Sequence, residues 1–175
     1  MDRKQKILTI SLKLFAENGY RNTTTQSIAL KAGVSEALIF KHFGTKEHLL
    51  TFVIKSGYKR IIEKNRGMME EKNALQFIYN VIELPYKLVT EEPLFWQLQS
   101  RLMHMDISSK SHAAFLRPVH SLLVKAFEYL AYKNPKKETE FILLCVEALW
   151  KLRITEPAEI RSMQEFIKSK YSTLP

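Results

Sequence analysis

Four hydroxyl residues, Thr24, Thr25, Ser35 and Thr45, stand where short segments with apolar periodicity begin. A hydroxyl in that place caps a helix, and the N–H groups and partial positive charge left at such an end attract phosphate. Between these ends lies Glu36-Ala37-Leu38-Ile39-Phe40-Lys41-His42-Phe43. Wound as a helix, this segment turns Ile39 and Phe43 toward Ile28, Ala32 and Val34, and leaves Glu36, Ala37, Leu38 and Lys41 facing outward. Such a short exposed face, polar at one point and apolar at the next, suits a reader of the DNA major groove. An ordinary helical hairpin inside a core would carry the same small-residue spacing, so this pattern alone leaves both readings open.

The elements that must position these residues are helices. Ile7, Ile10, Leu14 and Leu8, Leu12, Phe15 recur at steps of three and four, which predicts a helix over residues 3–17 that Asn18-Gly19 stops. Short helices follow over 26–32 and 36–43, ended by Gly33 and Gly44, with Ala29 and Gly33 at the tight turn between them. A longer helix opens at Thr45-Lys46 and runs to about residue 66. Farther on, helices are predicted near 73–90, 93–105, 109–132, 136–154 and 157–171. Pro93, Pro135 and Pro157 read as first helical residues, whereas Pro85 and Pro118 fall inside periodic runs and should kink or divide their helices. Residues 67–72, polar and glycine-led, read as a hinge. The fold class is all-α, with a helix-turn-helix domain at residues 1–48 and a helical ligand-binding and dimerisation domain at 49–175.

Composition narrows the partners. Only 5 Gly and 6 Pro in 175 residues leave too few turn signals for an all-β chain. Lys and Arg number 27 against 18 Asp and Glu, a net charge of +9, which favours polyanions. Residues 1–48 hold 8 basic and 4 acidic side chains, a density that a solvated basic face would produce as well. The single cysteine, Cys145, excludes an internal disulfide. The charged start does not read as a signal peptide, and no apolar run approaches the ~20 residues of a membrane span, so a cytoplasmic protein with no membrane partner is expected.

Over residues 7 to about 50, Gly19-Tyr20-Arg21-Asn22-Thr23-Thr24, Ile28-Ala29, Ala32-Gly33-Val34-Ser35, Phe40, His42-Phe43, Thr45-Lys46-Glu47 and Leu49-Leu50 resemble the DNA-binding signature of the TetR family of bacterial transcriptional regulators. The resemblance implies that Gln26 to Ala32 is the positioning helix and Glu36 to His42 the recognition helix. It places Thr25, Phe40, His42 and Lys46 against backbone phosphates and Glu36, Ala37, Leu38 and Lys41 nearest base edges. Their chemistry agrees: Lys41 can donate to guanine O6 and N7, Glu36 can accept from cytosine N4, and Ala37 or Leu38 can lie on a thymine methyl. Leu38 replaces a hydroxyl residue and Phe40 a tyrosine that are common in the family, so two hydrogen bonds often seen there are unavailable here. Phe40 reads equally well as a core aromatic.

The family resemblance also implies a homodimeric regulator, by the family's habit a repressor, that binds a palindromic double-stranded DNA operator and is released by a small-molecule effector. Phe141 to Trp150 is apolar on nearly every side and needs cover on all of them, from a second copy or from the middle of the monomer. Its companion carries Ile160, Met163, Ile167 and Tyr171 on one face, with Phe166 beside it. An apolar or aromatic effector would fit among Tyr86, Phe95, Trp96, Met103 and Phe115, near the proline breaks. His104, His112 and His120, with Asp106 nearby, lack the spacing of metal ligands on one helical face, so no metal and no cofactor is expected. No phosphate loop, nucleophile elbow or Cys/His pair is present, so no catalytic residue is assigned. A ligand carrier or enzyme on the same fold, without a specific operator, is the alternative, as is a module that uses its basic front non-specifically.

Overall fold

The computed structural model describes residues 2–155 and 159–172, with side chains through residue 150 in the first span. Every element among them is a helix: α1 (Arg3–Asn18), α2 (Thr25–Ala32), α3 (Glu36–Phe43), α4 (Lys46–Lys64), α5 (Arg66–Met69), α6 (Ala74–Glu91), α7 (Pro93–Leu102), α8 (Asp106–Tyr129), α9 (Pro135–Thr155) and α10 (Glu159–Ser169). The all-α expectation holds. The expected hinge at 67–72 overlaps α5, a single turn, and Pro157 lies outside the described residues.

The described chain forms two compact units. One comprises Met1–Ile61 with Glu92–His112, and the other Ile62–Glu91 with Ala113–Pro175. In the first unit α1 buries Ile7, Leu8, Leu12, Phe15 and Ala16, and α7 packs along it, burying Phe95, Trp96, Leu98 and Leu102. Helix α4 contributes Leu49, Leu50, Val53, Ile54, Gly57 and Tyr58. At Gly57 the α7 ring of Phe95 comes so close that a methyl group there would stand 2.1 Å from its Cε2. Tyr58, Phe95, Trp96 and His112 meet edge to face or tilted at ring-centroid distances of 5.1–6.4 Å. Tyr58 Oη lies 3.2 Å from His112 Nδ1, and burial raises the phenol's pKa and lowers the imidazole's.

In the second unit α6 lies against α9 and α10. Gln164 donates to the Ile82 carbonyl at 2.9 Å, Lys168 binds Glu83, and Arg161 donates to Tyr86 Oη at 3.0 Å. Helices α6 and α8 each run on through their proline, so of the two outcomes expected, a kink or a division, division does not occur. A proline forfeits one backbone bond, whereas α6 buries seven side chains, Pro85 among them, and that burial outweighs the loss. On α9, Ile142, Val146, Leu149 and Trp150 are buried but Phe141 and Leu144 are exposed; on α10, Ile160, Gln164 and Ile167 face inward while Met163 and Phe166 face out. Met163 therefore leaves the face on which the sequence placed it. Among the described residues no helix is long and apolar enough to cross a membrane.

Candidate nucleic-acid interface

Local rules build the α2–turn–α3 corner. Thr24 caps α2, its Oγ1 accepting from Ser27 N at 3.0 Å. Gly33 closes that helix at φ +64°, a left-handed conformation that costs glycine nothing, and Val34 N returns to the Ala29 carbonyl at 3.0 Å. Ser35 caps α3 through Leu38 N at 3.3 Å, and Thr45 caps α4 through His48 N at 3.1 Å. Each of these three hydroxyls accepts its cap bond and keeps its own hydrogen to donate.

Helix α3 buries only Ile39 and Phe43. Ala37, Phe40, Lys41 and His42 are exposed, and Glu36 and Leu38 are half-buried. Phe40, at 45% exposure, is therefore not a core aromatic. His42 tilts against Phe43, which packs edge-on to Phe52, and Lys4 of α1 lies over the Phe52 ring at 4.8 Å.

Two polar contacts escaped the sequence. Thr25 Oγ1 donates to Glu36 Oε1 at 2.5 Å, joining the first residues of α2 and α3. Lys46 Nζ donates to the Thr23 carbonyl at 2.7 Å and to the Arg21 carbonyl at 3.4 Å, and lies 4.5 Å from the centre of the Tyr20 ring. Thr23 itself is buried, with its hydroxyl on the Gly19 and Leu14 carbonyls. Lys46 thus ties the α1–α2 loop to the start of α4, and two of its three donors are committed. Tyr20 sits edge-on to Phe15; burial, and then the Glu47 carboxylate, raise its pKa. The loop's position could not be read from local spacing, because its partner lies more than twenty residues away.

The five residues expected around an effector divide between the units. Phe95, Trp96 and Met103 belong to the first, and Tyr86 and Phe115 to the second. Phe95 and Trp96 are buried within the ring cluster with Tyr58 and His112, Met103 is exposed at the end of α7, and Tyr86 carries Arg161 over its face at 4.9 Å. Among the described residues no group of three or more His, Cys, Asp or Glu could hold a metal ion.

Residues 7–51 match the family model of bacterial regulatory proteins, tetR family. The transcriptional regulator HbdR of Aromatoleum sp. is 40% identical over 55 residues, which cover 31% of this chain and 24% of that protein. The transcriptional repressor AcnR of Corynebacterium glutamicum is 30% identical over 101 residues, 53% of each chain. The chain thus spans about half or less of the curated relatives it matches. Among solved structures, the regulator FadR of Bacillus subtilis in complex with stearoyl-CoA superposes with a TM-score of 0.76 at 19% identity, covering 94% of this chain and 97% of that one. A TetR regulator of Haloarcula marismortui gives 0.80 at 16% identity, covering 98% and 96%. Those two likenesses show a shared fold. Residues 7–51, which hold the capped α2–turn–α3 corner, thus carry the helix-turn-helix segment of the bacterial regulatory proteins of the tetR family.

Proposed function

We propose that the chain represses transcription in the cytoplasm by binding a palindromic operator as a homodimer, and that a small-molecule effector of apolar or aromatic character releases it. In this reading residues 1–48 bind DNA and residues 49–175 hold the effector and the partner subunit. The observation that carries it is α3, a capped eight-residue helix held by two buried side chains with Ala37, Lys41 and His42 turned to solvent. Lys41 and Glu36 supply a donor and an acceptor for base edges, and the hydroxyls of Thr24, Ser35 and Thr45 supply donors for phosphates.

The dimer rests on Phe141 and Leu144 of α9 and Met163 and Phe166 of α10, large apolar side chains between 41% and 66% exposed. A second copy related by a two-fold axis would cover them with the same face. The effector rests on the shared fold with a regulator solved with stearoyl-CoA and with another solved with choline. No catalytic, metal or cofactor role is assigned.

Selection from a random DNA pool, followed by gel shifts at two salt concentrations, tests the reading. The expected product is a palindrome with half-sites about 34–36 Å apart whose binding survives excess competitor. A pool that yields no enriched sequence, with affinity that collapses uniformly as salt rises, overturns it.

A further inference from the structure

The Thr25 hydroxyl has one hydrogen, and that hydrogen lies on the Glu36 carboxylate. Thr25 therefore differs from Thr24, Ser35 and Thr45, whose oxygens accept cap bonds and leave their hydrogens for an outside acceptor. To donate to a phosphate, Thr25 would have to abandon Glu36, and a half-buried carboxylate beside the duplex would then lose its partner. A hydrogen bond to a charged group is the stronger kind, and its loss would accompany like-charge repulsion from the phosphates. Keeping the bond avoids the loss of that partner. Phosphate contact at this end of α2 then falls to the backbone amides of Thr25 and Gln26, since that of Ser27 is taken by the Thr24 hydroxyl.

The same bond decides how Glu36 meets a base. With Oε1 held by Thr25, rotation about the last side-chain torsion is restrained, and Oε2 is the oxygen with both of its acceptor sites open. An acceptor with no donor selects an exocyclic amine and repels guanine O6 and N7; among base edges of the major groove, cytosine presents its N4 amine without an adjacent ring acceptor. We propose that Thr25 is a positioning residue that orients Glu36 to read a cytosine, one per half-site, and that Thr25 does not serve as a phosphate ligand. This inference rests on the operator-binding reading above and adds to it which base the start of α3 selects and how.

The test uses the full chain. The operator is first selected from a random pool; affinities are then measured for duplexes with each base pair of the half-site replaced in turn, for the parent and for Thr25→Val, Thr25→Ser and Glu36→Gln. The parent is expected to prefer C·G over the alternatives by roughly tenfold at one position, as one charge-assisted bond allows. Thr25→Val should cut that preference to about threefold or less with little change on the replaced duplex, and Thr25→Ser, which keeps the hydroxyl, should restore it. Glu36→Gln should move the preference from the cytosine amine to an acceptor edge, guanine O6 and N7 or thymine O4, since its carbonyl stays on Thr25 and only its NH2 faces the base. If Thr25→Val instead weakens every duplex alike, Thr25 is a phosphate ligand and the inference is overturned. An unmoved preference in Glu36→Gln overturns it as well, even should the valine variant fail to fold. A pool with no enriched sequence removes the operator reading itself, whereas an operator with an unaltered preference map removes only the role given to Thr25.

Discussion

Replacing Gly57 by alanine tests how closely α4 and α7 approach within the first unit. The added methyl carbon would stand 2.1 Å from Phe95 Cε2, 2.3 Å from Cδ2 and 2.9 Å from Cζ. Carbon atoms rest at about 3.5–4 Å, so the ring or one helix must give by more than about 1 Å. The ring has little room, because Phe95 is fully buried between Tyr58 at 5.1 Å and Trp96 at 5.4 Å. Overpacking of this kind costs about 1–3 kcal/mol, and the better helix propensity of alanine returns about 1 kcal/mol. The overlap here lies at the severe end, so a net loss of about 1–2 kcal/mol is expected, a fall in Tm of roughly 2–8 °C for a chain of this size. Urea and thermal unfolding measure it. Phe95→Leu in the same chain supplies the control: with the ring gone, alanine at 57 should cost nothing further. A Gly57→Ala protein that melts at or above the parent would refute the close approach, since only helix propensity would then be acting.

Three further outcomes follow from polar and apolar contacts described above. Burial lowers the His112 pKa below the ordinary 6.5, so below about that pH the unfolded chain binds a proton that the folded chain refuses. Stability should be flat above that pH and fall below it, and urea midpoints at about pH 5.5 and about pH 7.5 should converge in His112→Gln. Lys46→Met removes two bonds to the α1–α2 loop and should cost about 1–2 kcal/mol in urea unfolding. A variant of unchanged stability whose DNA affinity depends less on salt would instead make Lys46 a phosphate cation. On the proposed dimer, Leu144→Glu with Phe166→Glu should halve the solution mass seen by light scattering; an unchanged mass would overturn the subunit contact proposed at α9 and α10.

What the sequence revealed and what it hid divide along one physical line. Thr24, Ser35, Gly33 and Gly44 act within a single turn of backbone, and each stands in the structure where its spacing put it. At Pro85 and Pro118 the spacing left a kink and a division both open, and division does not occur, since burial of the flanking apolar faces decides whether a helix continues through a proline and spacing does not report burial. The bond from Thr25 to Glu36, the hold of Lys46 on Thr23, the notch at Gly57 and the Tyr58–His112 contact join residues 11, 23, 38 and 54 positions apart. Nothing in a local pattern announces them. Met163 shows the same limit, because a helical face seen in sequence has no fixed orientation until α6 and α9 supply the other half of the core.

The first unit is discontinuous in the chain, since α7 completes it along α1 only after α5 and α6 have intervened. A ribosome that has released α1 to α4 has therefore not released everything this unit needs, because α1 still lacks the helix that packs along it. Grafting the leading helices onto another body would carry an uncovered apolar stripe with them. A working transplant must bring residues 92–112 along, or redesign the outer side of α1 in polar residues.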